Sequence, residues 1–281
     1  SGLSLAWSYH PHAFKVECKD RLSPYQVLYN DEIFSKGIRK LLTGTFFSKK
    51  AFEDLKSDKE KGSIRAVLRR VTGAQMVSNF RPVTASALYK LFCDENDTVW
   101  DMSSGWGGRL LGSIKAKVNY IGTDPNTKTM KGLKEMSKTF GNKAQSYELL
   151  TMGSEDYKPK KNSLDFAFTS PPYFDTERYS NEKTQSFLKF TNIESWKDKF
   201  LRKTIDNVYR GLKQNKFMAL NVADVKNHYD GFEEDTVAIA ESVGFKLVDT
   251  FDYVLSSQQS DSKSEPIYIF KKWSTHLQIK Q

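Results

Sequence analysis

The chain has 281 residues, of which 38% are hydrophobic and 13% aromatic, enough for one sizeable α/β core with a smaller appended region. It contains no apolar run of about 18 residues, no signal-peptide pattern at its start and only two cysteines. We therefore expect an intracellular protein without disulfides, a metal site or a membrane segment. The net charge of +9 fits a nucleic-acid partner or simply a basic surface.

Residues 1–80 interleave aromatic and basic residues with turn-prone breaks, which predicts a mainly helical, basic N-terminal extension. Apolar residues between positions 24 and 42 recur at helical spacing. A solvated helical face would explain the basic residues of this region as well as a contact with nucleic acid would. The candidates for binding nucleic acid are Lys36, Lys40, Lys49, Lys50, Arg65, Arg69 and Arg70, together with Arg178 further along the chain.

Beyond residue 81, strand-like and helix-like segments alternate, which predicts a parallel sheet covered by helices on both faces. The predicted strands are 98–101, 120–124, 146–151, 164–169, 216–222, 245–255 and 266–271, and the predicted helices are 127–140, 196–212 and 236–243. The polar connection 256–265 is too short for a helical crossover, so the last two strands should be antiparallel. We expect a catalytic domain over 81–273 and a tail over 274–281.

A glycine-rich turn, DMSSGWGGR at 101–109, follows the first predicted strand and precedes a helical pattern. Gly105 and Gly107 allow a sharp turn and the close approach of a ligand, although packing or a dinucleotide cofactor would explain the turn nearly as well. The second strand ends at Asp124, whose carboxylate is suited to accept ribose hydroxyls or to cap the next helix. Together, these elements predict an adenosine-containing ligand at the carboxyl ends of the first strands.

The sequence Thr169-Ser170-Pro171-Pro172-Tyr173 follows the apolar fourth strand directly. Two prolines fix φ and remove two N–H donors, so the loop is rigid and presents hydroxyl and carbonyl acceptors. Such acceptors suit an amino group that must be held as it attacks, and Tyr173 offers a flat face for an unstacked base. A structural turn or an exposed proline-rich ligand is the alternative interpretation. The position after a buried strand favours catalysis.

These motifs resemble those of the DNA amino-methyltransferases, which make N4-methylcytosine and N6-methyladenine. The family's glycine-rich motif matches Asp101, Gly105 and Gly107, its catalytic motif matches Ser170 to Tyr173, and its Lys-Pro motif resembles Arg81-Pro82. The resemblance implies a class I methyltransferase, Rossmann-like fold, with a mostly parallel seven-stranded sheet and an antiparallel final strand. It also implies S-adenosylmethionine as cofactor and DNA as partner. Serine in the first position of the catalytic motif favours N4 of cytosine over N6 of adenine.

The same resemblance implies the site residues and a prokaryotic or phage-type cytoplasmic protein. The expected catalytic residues are Ser170, Pro171, Pro172 and Tyr173. The residues expected around the cofactor are Arg81, Pro82, Asp101, Ser103, Gly105, Gly107, Asp124, Glu155, Asp156 and Thr169. No metal ion is expected.

The sequence departs from the family in two respects. Members with this motif order carry a domain that recognises the target sequence after the catalytic region, whereas this sequence ends a few residues after the last predicted strand. We therefore expect recognition of the target sequence to come from residues 1–80, from 174–191, or from an additional domain or subunit. Trp106 is an unusually bulky residue beside the cofactor. An RNA-base or protein-glutamine N-methyltransferase and an inactive DNA-binding homologue stay open as alternatives. Cytosine C5 methylation is excluded, because neither cysteine has the Pro-Cys setting of those enzymes.

Overall fold

The structure, a computed structural model, describes residues 2–18, 21–43, 72–225, 228–258 and 261–274. The chain divides into two compact units. The sheet unit comprises Ser1–His10, Asn79–Asp175 and Ser180–Gln281, and the second unit comprises Pro11–Ser78 and Thr176–Tyr179. This division differs from the predicted one. Residues 1–10 join the sheet unit, because Ala6 is buried in its core, and residues 176–179 leave it, because Glu177 and Arg178 pair with a strand of the second unit.

Seven strands of the described residues form the central sheet and two short ones pair in the second unit. In chain order the strands are β1 (Glu17–Cys18), β2 (Thr98–Asp101), β3 (Asn119–Thr123), β4 (Tyr147–Leu150), β5 (Leu164–Thr169), β6 (Glu177–Arg178), β7 (Leu212–Asn221), β8 (Lys246–Gln258) and β9 (Asp261–Lys271). The order across the sheet is β4-β3-β2-β5-β7-β9-β8, and β9 runs antiparallel to both neighbours. This is the class I methyltransferase fold, as predicted. The strand pair β1–β6 is antiparallel.

The helices lie between the strands, as the alternating pattern predicted. In chain order they are α1 (Leu3–Ser8), α2 (Pro24–Leu28), α3 (Asp31–Thr43), α4 (Pro82–Phe92), α5 (Gly108–Ala116), α6 (Thr127–Phe140), α7 (Ser186–Lys189), α8 (Ile193–Trp196), α9 (Lys203–Gly211) and α10 (Phe232–Val243). A 3₁₀ turn occupies Pro11–Lys15 and a π-helical turn, Lys197–Arg202, joins α8 to α9. In the described part of the chain, no helix is both long and apolar enough to span a bilayer.

Alternation along the strands explains why both faces of the sheet are covered. Successive side chains of a strand point to opposite faces. Val99 and Phe166 accordingly pack in one hydrophobic cluster with α4, α5 and α6, whereas Trp100 and Ala167 pack in the other with α9 and α10. With both faces buried, β5 is apolar except for Asp165 and Thr169. The functional residues are therefore expected at the strand ends.

Two elements differ from the predicted helices and strands, one because of a helix cap and the other because of backbone pairing. The helical pattern over 24–42 is split, because the Asn30 side chain accepts a hydrogen bond from the N–H of Ile33 and starts a new helix. The observed connection between β8 and β9 is shorter than the predicted polar connection 256–265. The ladder between β8 and β9 continues to the pair Gln258 and Asp261, since backbone pairing needs no apolar side chains.

Candidate active site

A buried carboxylate at the carboxyl edge of the sheet connects β2 to its two neighbouring strands, β3 and β5. Asp101, at the end of β2, is fully buried and accepts hydrogen bonds from the Tyr120 hydroxyl (2.7 Å), the Thr169 hydroxyl (3.0 Å) and the Arg109 Nε (2.8 Å). The backbone N–H of Ser103 donates to both Asp101 Oδ1 (3.3 Å) and Thr169 Oγ1 (3.0 Å). Asp101 and Thr169 were expected to contact the cofactor. Both side chains are buried and hold the loop, and their contact with a cofactor stays a prediction.

The guanidinium of Arg109 completes this network. It donates to the carbonyl oxygen of Ser103 as well as to Asp101, and it lies about 6 Å from the ring centroids of Phe80 and Phe168. Burial alone would lower the pKa of Arg109, but the charge and hydrogen bond of Asp101 outweigh burial and raise it. Arg109 therefore stays charged and neutralises Asp101. The sequence analysis noted Arg109 only as the last residue of the glycine-rich motif.

The glycines of the loop have different roles. Gly105 and Gly107 both lie in the left-handed region, with φ of 53° and 79°. A Cβ at Gly107 would lie 2.8 Å from Met136 Cε, so Gly107 permits packing. A Cβ at Gly108 would collide with the carbonyl oxygen of Phe80. At Gly105 a Cβ would meet only the carbonyl oxygen of Ser103, at 3.7 Å. Gly105 is thus the glycine of this loop that a ligand can approach.

Asn79 lies outside the glycine-rich motif and stabilises the glycine-rich loop with two hydrogen bonds. Its side-chain amide donates to the carbonyl oxygen of Trp106 (3.1 Å), and its side-chain oxygen accepts from the N–H of Gly108 (3.3 Å). The sequence analysis missed this residue. Its place two residues before Arg81-Pro82 was the available signal, since that dipeptide was expected beside the cofactor.

Asp124 follows β3 and faces the glycine-rich loop. Its Oδ2 accepts from the N–H of Gly105 (3.0 Å) and its Oδ1 from the N–H of Asn126 (2.9 Å). Burial raises the pKa of Asp124 to about 6, and the two backbone hydrogen bonds partly oppose that rise. Asp124 does not cap α6, because the side chain of Asn126 accepts the N–H groups of Lys128 and Thr129. Each Asp124 oxygen keeps a lone pair for a ligand.

Glu155 and Asp156 follow β4 and share the ammonium group of Lys189. Asp156 Oδ2 lies 2.7 Å from Lys189 Nζ, and Glu155 Oε1 also binds this group. The Glu155 side chain is 3% exposed and that of Asp156 is 58% exposed. Among the described residues, no group hydrogen-bonds to Glu155 Oε2, although this atom is buried. Lys189 was not anticipated from the sequence, since 34 residues separate it from Glu155.

The loop Ser170-Pro171-Pro172-Tyr173 leaves β5 directly after Thr169. Pro171 is buried, and Ser170 and Pro172 are half-buried. No group in the described residues hydrogen-bonds to the Ser170 hydroxyl, in contrast to the fully engaged hydroxyl of Thr169. The structure therefore places an available acceptor at the end of a rigid strand.

Aromatic packing supports the end of this loop. The Tyr173 ring packs edge to face on Phe232, with 5.1 Å between ring centroids. Phe174 adopts φ of 50°, a costly conformation for a bulky residue, and its ring lies 6.0 Å from that of Trp196. The half-buried Tyr173 ring is thus held by packing. Its expected role as a stacking face for a base stays a prediction.

The N-terminal helix packs on the glycine-rich loop. The ring of Trp106 lies 5.9 Å from that of Trp7 and 5.8 Å from that of His10. His10 is fully buried, its nitrogens face the carbonyl oxygens of Ala6 and Thr129, and burial lowers its pKa. The Trp106 side chain is therefore part of a buried aromatic contact with α1. Trp106 was expected beside the cofactor, which stays a prediction, and its packing on α1 was not anticipated from the sequence.

The Arg81-Pro82 dipeptide lies at the start of α4. The Arg81 guanidinium donates to the carbonyl oxygens of Val254 (2.9 Å) and Leu255, and the Arg81 N–H donates to the hydroxyl of Tyr253 (3.1 Å). Pro82 is buried and occupies the first turn. Both residues thus tie α4 to the sheet unit. Contact with a cofactor stays a prediction for them.

The residues predicted to bind nucleic acid fall into two groups. Lys36 on α3 and Arg178 on β6 are exposed, and Lys40 is half-buried. The remaining candidates, Lys49, Lys50, Arg65, Arg69 and Arg70, lie outside the described residues. Residues 11–78 and 176–179 do form one unit, which joins two of the three regions from which recognition was expected.

No protein-family model and no curated protein sequence matches this chain. Solved structures do resemble it. An S-adenosylmethionine-dependent methyltransferase from Methanosarcina mazei is 15% identical over 66% of this chain and 97% of its own, with a TM-score of 0.45. A candidate RNA methyltransferase from Pyrococcus horikoshii is 12% identical over 69% and 84%, with a TM-score of 0.47. A cyclopropane synthase from Mycobacterium tuberculosis is 12% identical over 61% of each chain, with a TM-score of 0.42. Because one fold hosts many activities, function must be argued from the site.

Proposed function

We propose that this chain transfers a methyl group from S-adenosylmethionine to the exocyclic amine of a DNA base, with N4 of cytosine preferred over N6 of adenine. One observation carries the proposal. The Ser170 hydroxyl stands at the carboxyl end of β5, without a partner among the described residues, while the adjacent Thr169 is fixed to Asp101 and to the glycine-rich loop. The loop for a substrate amine and the loop for a cofactor are thereby held together.

The residues at the sheet edge fit this cofactor. Gly105 leaves open space where a Cβ would stand, and Asp124 is bound to the N–H of Gly105 while keeping acceptor capacity for ribose hydroxyls. Glu155 Oε2 is a buried acceptor, the type of atom that an adenine amino group requires. When bound, the cofactor would supply an electrophilic methyl group and would leave as the thioether, which keeps the electron pair of the broken carbon–sulfur bond, while the proton lost from the amine would pass to solvent.

The chain's own groups then position the amine. The Ser170 hydroxyl oxygen and the Pro171 carbonyl are acceptors, so they hold an amino group through its N–H bonds and leave the nitrogen lone pair free. The two prolines contribute no N–H donors that would compete. As positive charge develops on nitrogen, the same acceptors stabilise it, and no covalent enzyme intermediate is needed. Tyr173 provides an aromatic surface for the extruded base.

The test is product identification. The protein is incubated with methyl-labelled cofactor and, in parallel, with DNA, RNA or a protein mixture, and each substrate is digested and analysed by mass spectrometry. N4-methylcytosine or N6-methyladenine in DNA is the expected product. Methylated RNA bases or methylglutamine instead would contradict the proposal, and so would the absence of any transfer.

The role of the loop is tested with a matched pair of serine variants. Ser170→Ala should lower kcat by far more than it changes the Kd of the cofactor, since the acceptor acts as charge develops. Ser163→Ala, at the opposite end of β5, removes a hydroxyl bonded to the Lys160 carbonyl and should retain parental turnover. Equal turnover in both variants would reject the assignment of Ser170.

A further inference from the structure

The outer face of α6 carries a row of lysines that the site described above does not use. Lys131, Lys134 and Lys138 are all exposed, whereas Met130, Leu133 and Met136 of the same helix are buried. Residues three, four and seven apart share one face of a helix. The three ammonium groups therefore project on the same side of the molecule.

These lysines line a cleft of about 320 Å³. Thr127 and Thr151 add hydroxyl groups to its wall, and Glu135 is the one acidic residue among its lining. The Thr127 hydroxyl donates to Glu182 Oε1 at 3.0 Å, so the donors left for a ligand are the three ammonium groups and the Thr151 hydroxyl. A concave surface with these donors and one carboxylate has the chemistry of an anion site.

The cations of the cleft are not neutralised by the protein. Within the described ranges, none of Lys131, Lys134 and Lys138 forms an ion pair, whereas Lys117 pairs with Glu95 at 2.9 Å. Three like charges along one face that form no ion pair repel one another. A polyanion would remove that repulsion.

One end of the cleft lies at the edge of the sheet that carries the candidate active site. Thr127 is the first residue of α6 and follows Asp124 by three positions, and Thr151 directly follows β4. Along the helix axis, Lys131 to Lys138 span about 10 Å at about 1.5 Å per residue. At about 3.4 Å of duplex axis per phosphate, that length spans about four successive phosphates of one DNA strand, enough for each lysine to meet its own.

We propose that this cleft binds the phosphodiester backbone of the DNA substrate, next to the base that enters the site. The inference rests on the proposed function for its choice of DNA. Each lysine contacts one phosphate, and the contacts orient the strand without reading its sequence.

The test compares two triple variants that remove the same charge. Lys131, Lys134 and Lys138 are changed to Gln in one. Lys90, Lys115 and Lys143, which are exposed and lie outside the cleft, are changed to Gln in the other. Binding of a short DNA duplex is measured by fluorescence anisotropy over a range of salt concentrations. The slope of log K against log salt should fall by about 2 to 3 in the cleft variant, at about 0.9 per lost phosphate, and hardly change in the other.

Each other result overturns the proposal. Equal changes in the two variants would mean that net charge alone is responsible, and an unaltered slope in the cleft variant would mean that the lysines are only solvated. Failure of the parental protein to bind duplex DNA would also reject it. Binding is measured without turnover, so this test is independent of catalysis. If the cleft binds DNA but the protein methylates another substrate, the proposed function is wrong and the assignment of the cleft as a DNA-binding site stands.

Discussion

The carboxylate of Asp124 accepts a hydrogen bond from the backbone N–H of Gly105, with 3.0 Å between oxygen and nitrogen. This bond ties the end of β3 to the glycine of the loop that a ligand can approach. It also keeps the carboxylate oriented before any ligand arrives, so less ordering is needed on binding.

The first prediction is a pH-dependent affinity for the cofactor. Because burial raises the pKa of Asp124 to about 6, the carboxylate is mostly ionised above that pH and mostly protonated below it. Protonation removes the negative charge that strengthens hydrogen bonds from ribose hydroxyls. Calorimetric titration with S-adenosylmethionine should therefore show an affinity that is constant at high pH and declines as the pH falls through about 6.

Asp124→Asn is the control for this profile. The variant should bind more weakly than the parent at high pH, by about 1 to 3 kcal/mol, and its affinity should not change around pH 6. A parental affinity that is flat from about pH 5 to about pH 8 would show that Asp124 does not contact the ligand.

The second prediction concerns the buried pair Asp101–Arg109. Asp101→Ala should lower the free energy of unfolding by about 3 to 5 kcal/mol in urea denaturation, because it leaves the Arg109 charge buried and unpaired. The double variant Asp101→Ala, Arg109→Met should be more stable than Asp101→Ala alone. Glu95→Ala, which breaks the exposed pair with Lys117, should cost at most about 1 kcal/mol. Equal losses at Asp101 and Glu95 would contradict the structural role of the buried network.

The third prediction separates two neighbouring glycines. Gly108→Ala should strongly destabilise the protein, because the new methyl group would collide with the backbone carbonyl of Phe80. Gly105→Ala meets no such obstacle and should cost only about 1 to 2 kcal/mol for its left-handed φ. We expect Gly105→Ala to fold and to bind S-adenosylmethionine more weakly, as judged by thermal melting and calorimetry. Parental affinity in that variant would mean that no ligand approaches Gly105.

The fourth prediction concerns Tyr173. Its ring packs on Phe232, with 5.1 Å between ring centroids. Tyr173→Ala should therefore lower the midpoint as well as weaken capture of the base, the latter by about 1 to 3 kcal/mol. Tyr173→Phe keeps the ring and should retain most of both properties. Binding to DNA with an abasic or mismatched target position would show a base-specific loss. A loss only in melting temperature would assign Tyr173 to packing alone.

Much of the fold could be predicted from the sequence because its pattern is local. β2 and β5 were predicted at their observed bounds, and the antiparallel pairing of β8 and β9 followed from the short connection between them. Backbone alternation and turn chemistry act over a few residues, so a single sequence records them.

The supporting partners of the site could not be predicted, because they lie far apart in the chain. The hydrogen bond between Asp101 and Thr169 spans 68 residues, and that between His10 and the Thr129 carbonyl spans 119. The chemical type of Asp101 indicated a cofactor contact, which stays a prediction, whereas its hydrogen bonds to Thr169, Tyr120 and Arg109 depend on its burial. Burial depends on packing that no local pattern reveals.

The pairing of β6 with β1 has a consequence for how this protein can be divided. The chain leaves the sheet unit after Asp175, two residues beyond the Ser-Pro-Pro-Tyr loop, and returns at Ser180. Cutting away residues 11–78 would thus deprive Glu177 and Arg178 of their strand partner in the segment that continues from that loop. The second unit is discontinuous in sequence and cannot be exchanged between proteins as a simple N-terminal module. Transferring the second unit to another protein would require moving both pieces together.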